Sequence, residues 1–316
     1  MIEATIRVAE PMNVLIVKLN ATGDVVRTTT LLRRLEAVCT WVTDPMNLQL
    51  LDGLPLDGFR CFGWDERDRS RDRHYDLVIN LEDELHCATF VSQVDHARVF
   101  GAHLDGNGSI SYTEDSRSWF DMSLISVYGR KRADQLKLEN RRTYQELIFE
   151  GLGLHFEGEP YLLAGPTSTS LSGDVAIAPV AGPVWPMKGW AYYDQLKDEL
   201  EIAGLRVNFL PRRPTLLEHM GDVSNHRCLV GGDSLPMHLA LGTGVSCVTL
   251  FNCTSPWEIH DYGIQTKIVS PLLDKYFYQR GHDSAATTAI KLEDVYAAVM
   301  SRLNDTAAPS LANQSS

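Results

Sequence analysis

The sequence contains no apolar run approaching the roughly 20 residues that a membrane-spanning helix needs. Its opening, MIEATIRVAEPMN, has no apolar h-region, so neither a spanning helix nor a secretory signal is expected. Positive charge is in the minority: 29 Lys and Arg stand against 41 Asp and Glu, a formal net charge of -12. Such a chain repels nucleic acid and anionic lipid on average, which argues against general polyanion binding but leaves room for a local basic pocket. The six cysteines (Cys39, Cys61, Cys87, Cys228, Cys247 and Cys253) are scattered through mostly apolar surroundings, and no C-x-x-C occurs. Reduced, mostly buried thiols in a cytosolic protein are the expectation. The loop after the first apolar run has no G-x-G-x-x-G, and neither a Walker A sequence nor a G-x-S-x-G elbow is present. His, Cys, Asp and Glu never fall at a metal-ligand spacing. A dinucleotide site, a P-loop, a hydrolase nucleophile and a zinc site are therefore not indicated, and no repeat of solenoid length is visible.

What remains is 316 residues, 44% hydrophobic and 22% charged, enough for two medium-sized domains with cores of their own. The apolar run 14–19 (VLIVKL) predicts a buried parallel strand, and 20–24 breaks it. A helix carrying Val25, Thr29, Leu32 and Leu35 near one face follows. A second strand is predicted at 75–81. The alternating charges of 65–73 suit a solvated loop or face, and 101–108 reads as a loop. Residues 141–153 predict an amphipathic helix stopped by Gly-Leu-Gly. After the linker-like 164–173 (AGPTSTSLSG), strands at 175–178, 205–210, 228–230 and 245–251 alternate with helices at 190–200, 216–223 and 234–241. A last amphipathic helix holds Leu292, Val295, Tyr296, Val299 and Leu303, and the polar residues 304–316 are expected to be disordered. Strands alternating with helices in both halves predict two doubly wound α/β domains. A ligand cleft is then expected beyond the carboxyl ends of the strands.

Three loops follow predicted strands. In the first, 20–24 (NATGD), Gly23 permits a tight turn; Asp24 suits either a helix N-cap or a general base facing the cleft. In the second, 179–190 (PVAGPVWPMKGW), Lys188 near a helix start calls for an anionic partner such as a phosphate, unless it is simply exposed. In the third, 231–240 (GGDSLPMHLA), Asp233 or Ser234 can cap a helix whose free N–H groups suit a diphosphate, with Pro236 in its first turn. His238 there is either a packing residue or a ligand. Thr254 and Ser255, at the end of the next strand, add hydroxyl donors.

Taken together and in order, these segments resemble glycosyltransferase family 9, the ADP-heptose:lipopolysaccharide heptosyltransferases. The resemblance lies in 14–35 (VLIVKLNATGDVVRTTTLLRRL), 75–81 (YDLVINL), 140–161, 178–190 and, most fully, 228–263 (CLVGGDSLPMHLALGTGVSCVTLFNCTSPWEIHDYG). It implies a GT-B fold, with an acceptor-side Rossmann-like domain over 1–165, a nucleotide-sugar domain over 166–290 and a C-terminal helix over 291–303. It implies inverting transfer of a sugar, a heptose from ADP-heptose, to a hydroxyl of a glycan or glycolipid, with neither cofactor nor metal. On the same resemblance Asp24 is the catalytic base and Lys188 the donor-phosphate lysine. Gly23, Gly232, Asp233, Ser234, Met237, His238, Thr254 and Ser255 form the donor-binding set. The partners implied are a nucleotide sugar and a glycan or lipid-linked acceptor, not nucleic acid. The location implied is cytoplasmic, with transient inner-leaflet contact if the acceptor is lipid-linked. The basic cluster Arg130, Lys131, Arg132, Lys137, Arg141 and Arg142 is either a solvated helical face or a site for phosphorylated acceptors. Leu235 stands where relatives carry glycine. That substitution motivates a second reading, a degenerate transferase that binds without turnover; a GT-B epimerase is a third.

Overall fold

The computed structural model describes residues 11–123, 127–180, 182 and 184–307. Among the described residues eleven strands form two sheets. The first contains β1 (Met12–Val17), β2 (Ala37–Thr43), β3 (Arg60–Gly63), β4 (Leu77–Asn80), β5 (Val99–Leu104) and β6 (Ile110–Tyr112), in the order β3-β2-β1-β4-β5-β6. It is parallel except for β6, which runs antiparallel to β5. The second contains β7 (Gly173–Ala178), β8 (Val207–Phe209), β9 (His226–Gly232), β10 (Ser246–Phe251) and β11 (Gln265–Val269), all parallel, in the order β11-β10-β9-β7-β8.

The central strands are apolar throughout because both faces of each sheet are covered. Val14 and Ile16 of β1 pack into one core with Trp41, Ile79 and Phe100, while Leu15 and Val17 enter another with Tyr75, Val78 and Phe90. In β7 the same alternation sends Val175 and Ile177 to one side and Ala176 and Ala178 to the other. Strand order reverses between β1 and β4 in the first sheet and between β7 and β9 in the second. At such points neighbouring connections leave on opposite faces and open a crevice at the carboxyl edge. The loops after β1, β7 and β9 stand at these two crevices.

Several sequence-based expectations change here. The helix after β1 is cut short: it spans Thr22–Thr28 and tightens to a 3-10 helix over Thr29–Arg33. The Thr28, Thr29 and Thr30 hydroxyls donate back to the carbonyls of Asp24, Val26 and Arg27, competition that disfavours regular α-helix. The expected loop at 101–108 is half strand, since β5 continues to Leu104 and only the turn at 105–108 is irregular. Gly101 serves there as a strand residue, with φ +105 and a carbonyl of Asn80 where a Cβ would go. The last helix runs over Leu292–Ala307, so 304–307 are ordered rather than tail; 308–316 lie outside the described residues. It packs Val295, Val299 and Leu303 against the second sheet.

Between the sheets the chain crosses once as an extended segment. The Ala164 N–H donates to Leu50 on the first half, and that of Thr167 to Leu217 on the second. Further bonds join the halves, among them the Leu216 N–H to Gln49 Oε1 at 3.0 Å and the Tyr144 N–H to the Glu258 carbonyl at 3.0 Å. No helix among the described residues is long and apolar enough to cross a membrane.

Candidate active site

The loop after β1 is held from below. Glu82 Oε1, at the end of β4, accepts from the N–H groups of Leu19 and Asn20 and from the buried Lys18 ammonium at 2.6 Å. Asn47 Nδ2 donates to the Leu19 carbonyl at 2.7 Å, and its oxygen takes the Thr22 hydroxyl. This scaffold delivers the first turn of helix Thr22–Thr28 to a cavity of ≈ 770 Å³ between the two sheets. Ala21 is the N-cap, so Asp24 does not cap the helix; it stands in the first turn and lines the cavity. Both contacts from Arg27 fall on Oδ1, at 3.1 Å from Nε and 2.9 Å from Nη2. Burial pushes the Asp24 pKa up, but Arg27 beside it, helped by Lys18, His238 and Lys137, outweighs burial and holds it below the ordinary value. Arg27 also lies over the Tyr144 ring, 3.8 Å from its centroid.

Gly23 makes no turn. It is helical, and a Cβ there would stand 2.7 Å from Cδ2 of His238. The glycine is required because helix Leu235–Thr243 of the second domain meets the first domain at this point. His238 is 4% exposed, and its Nδ1 lies 3.4 Å from the Tyr161 hydroxyl. Burial, with Arg27 nearby, takes its pKa down to about 4, so the imidazole is neutral at physiological pH.

Opposite stands the end of β9. Lys188 sits in the short 3-10 turn Pro186–Lys188 rather than at a helix start. It is neither exposed nor alone: its ammonium donates to the Asp233 carbonyl at 2.6 Å and to Asp233 Oδ2 at 3.1 Å. Burial would raise the Asp233 pKa; Lys188, then His238, bring it instead to about 2. Ser234 occupies the N-cap position of helix Leu235–Thr243, yet its hydroxyl faces the Gly232 carbonyl and makes no cap bond. The N–H groups of Met237 and His238 turn back to the Ser234 carbonyl, and Pro236 has none. Leu235 thus carries the first-turn N–H with no intrahelical partner.

Asp24, Gly23, Lys188, Asp233, Ser234, His238, Thr254 and Ser255 all line this one cavity. Two expected donor residues do not. Met237 is 1% exposed and packs into the core with Val26 and Leu229, because its position on the helix faces the sheet. Gly232 is needed for its own backbone: a Cβ would lie 2.7 Å from the Lys188 carbonyl, so it admits the neighbouring loop rather than a ligand.

The cavity also gathers Arg27, Arg212 and Glu258, which the sequence did not mark. Arg27, Arg130, Lys137, Lys188 and Arg212 face Asp24, Asp233 and Glu258, an excess of cationic groups inside an acidic protein. Arg27 was traceable only as the i+3 neighbour of Asp24; Glu258, directly after Trp257, had no signal. The basic cluster divides. Arg130 and Lys137, two turns apart on helix Arg130–Glu139, line the cavity, Arg141 stacks on Trp257 at 3.8 Å, and Arg142 pairs with Glu150. Ser255 Oγ is buried in the cavity wall without a hydrogen-bond partner. Among the described residues no group of three His, Cys, Asp or Glu side chains is gathered as a metal site.

This architecture is that of the GT-B glycosyltransferases, two Rossmann-like domains facing a shared cleft. No family model matches the chain, and no curated protein matches it. Solved structures do. A glycosyl transferase of family 9 from Veillonella parvula aligns with a TM-score of 0.66 at 16% identity, covering 93% of this chain and 97% of its own. The E. coli heptosyltransferase WaaC, solved with ADP-2-deoxy-2-fluoro heptose, gives 0.54 at 14% identity over 94% of this chain and 100% of its own. The E. coli ADP-heptose LPS heptosyltransferase II gives 0.56 at 15% identity over 94% and 100%. At these identities the likeness is one of fold.

Proposed function

We propose that the chain is an inverting, metal-independent glycosyltransferase that moves a heptose from ADP-heptose to a hydroxyl of a glycan or glycolipid. The observation that carries this reading is the single cavity that sets Asp24 of one domain opposite the Lys188–Asp233 pair of the other, among a surplus of cationic side chains. Residues 1–165 take the acceptor in this reading, and 166–290 the nucleotide sugar. The acceptor oxygen attacks the anomeric carbon while Asp24 accepts its proton. The bond from that carbon to the diphosphate breaks, and its electron pair leaves on the diphosphate. Asp24 is ionised at neutral pH, as a base must be, although its lowered pKa makes it a mild one. Lys188 uses two of its three donors on Asp233 and keeps one for a phosphate oxygen. With Arg27 and Arg130 it supplies the positive field that the departing charge needs. ADP-heptose is chosen because ADP and its heptose conjugate are the ligands named for structures of the same fold. A cytoplasmic site of action follows from that donor, with contact at the inner leaflet where the acceptor is lipid-linked.

The test is release of ADP from ADP-heptose, followed by mass spectrometry with acceptor glycans and with a chelator present. Asp24→Asn is expected to bind ADP-heptose like the wild type and to turn over about 10²–10⁴-fold more slowly. Unchanged turnover in that variant removes Asp24 from the chemistry. Leu235 and Pro236 favour a second reading, a nucleotide-sugar binding module, since they leave few helix N–H donors at the cavity. Tight ADP-heptose binding with no product from any acceptor, and no ADP release, decides for it.

A further inference from the structure

Two charged side chains in the cavity wall have no part in the mechanism above. Lys137, from helix Arg130–Glu139 of the first domain, is 6% exposed; Glu258, after β10 in the second, is 3% exposed. Each is the other's strongest charged neighbour, yet they make no direct ion pair. The Lys137 ammonium rests over the Tyr278 ring, 4.4 Å from its centroid, and Glu258 Oε1 is buried without any hydrogen-bond partner. Removing two charges from water without letting them touch is costly. The arrangement makes physical sense if a third group completes it. That group must donate to a carboxylate and accept from an ammonium, which is what a hydroxyl does.

Position narrows the source. Glu258 is coupled electrostatically to Asp233, in the proposed diphosphate cradle, and to Asp24, the proposed base. It follows Thr254 and Ser255 in the same stretch of wall. A sugar joined to the diphosphate and presented to Asp24 passes between them. We propose that Lys137 and Glu258 form a clamp, one jaw on each domain, that closes on a hydroxyl of the transferred sugar. The charged groups acting most strongly on Glu258 are Lys137, Arg27, Asp233 and Asp24; burial outweighs the two cations, so its carboxyl is partly protonated near neutrality. The backbone bond from Tyr144 to the Glu258 carbonyl fixes this jaw across the domain boundary.

The inference rests on the transferase reading, and the experiment separates the two. Calorimetric titration of the full chain compares ADP with ADP-heptose. Wild type is expected to prefer ADP-heptose, and Glu258→Ala or Lys137→Ala to lose roughly 10- to 100-fold of affinity for ADP-heptose while holding ADP unchanged. Glu258→Gln, which still hydrogen-bonds, recovers part of the loss. Equal losses for both compounds, or none for either, overturn the clamp. Melting of the ligand-free variants at pH 8 supplies a readout independent of any donor. Glu258→Gln is expected to melt at or above the wild-type temperature, because its surroundings disfavour the charge it removes. A lower melting temperature marks an ordinary structural ion pair and overturns the proposal. Wild type that binds neither compound strikes the transferase reading instead, and the melting comparison still decides the nature of the pair.

Discussion

Asp24 and Glu258 are carboxylates in the same cavity, both largely withdrawn from water, and they titrate in opposite directions. Asp24 has a guanidinium on one oxygen and ionises below the usual range. Glu258 has cations nearby but none in contact, and burial takes it up to about 7. Burial alone therefore does not set the charge of a cleft residue; a direct partner does. Pairs of groups pushed apart in this way are where acid–base roles are found.

Removing the direct partner breaks the comparison most severely. Arg27→Met leaves Asp24 without its contact. Loss of one half of a buried ion pair is strongly destabilising, and about 3 kcal/mol is expected in denaturant unfolding, the lower end because the Asp24 side chain keeps 20% of its surface. The acid limb of the rate profile is expected to move to higher pH as Asp24 loses the cation that favours its charge. A limb that stays in place assigns it to another group.

Next in size is Gly23→Ala. In an exposed helix this change stabilises by about 1 kcal/mol. Here the new methyl meets the His238 ring, and a loss of about 1–3 kcal/mol is expected instead. His238→Ala in the same chain should restore part of it, as a double-mutant cycle measures. A stabilising Gly23→Ala contradicts the close approach of the two helices.

The smallest effect sharpens the contrast through pH. Glu258, titrating at about 7 rather than 4.5, binds more proton when folded, so it lowers stability as pH rises from about 4.5 to 7. His238, titrating at about 4 rather than 6.5, binds less when folded, so it raises stability as pH rises from about 4 to 6.5. The two slopes oppose each other over about 4.5–6.5. Glu258→Gln should unmask the His238 slope, up to about 1.4 kcal/mol per pH unit, as a melting temperature that climbs more steeply with pH than in the wild type. Parallel profiles in the two proteins refute the opposition.

The legible part of the fold was the part buried on both faces. β1 and β7 hold the unbroken apolar runs 14–17 and 175–178, β10 reads as a strand despite Ser246 and Thr249, and the loops behind all three carried the site. β2 hides its pattern in AVCTWVT, where Thr40 and Thr43 are fully buried among apolar neighbours, and β3 has only four residues. β5 was concealed by Gly101, whose role is visible only once Asn80 lies beside it. The site was half legible for the same reason. Asp24, Lys188 and Asp233 follow strands and could be found by position. Lys137 was marked only within a basic cluster that also suited a solvated face, Glu258 reaches the cavity through tertiary folding alone, and Met237 was misplaced because a residue list does not say which way a helix turns. The glycines at 23 and 232 were singled out for a turn and for a ligand, and in the structure protein occupies the space that a side chain there would take.

Each sheet is built from one uninterrupted stretch of chain, with β6 complete at Tyr112 and β7 beginning at Gly173. During synthesis the first half can therefore finish its sheet while the second is still being made. Its pocket wall then stands open to solvent until His238 emerges and seats against Gly23. The nascent chain carries one wall of the cavity for roughly a hundred codons before the facing wall is made.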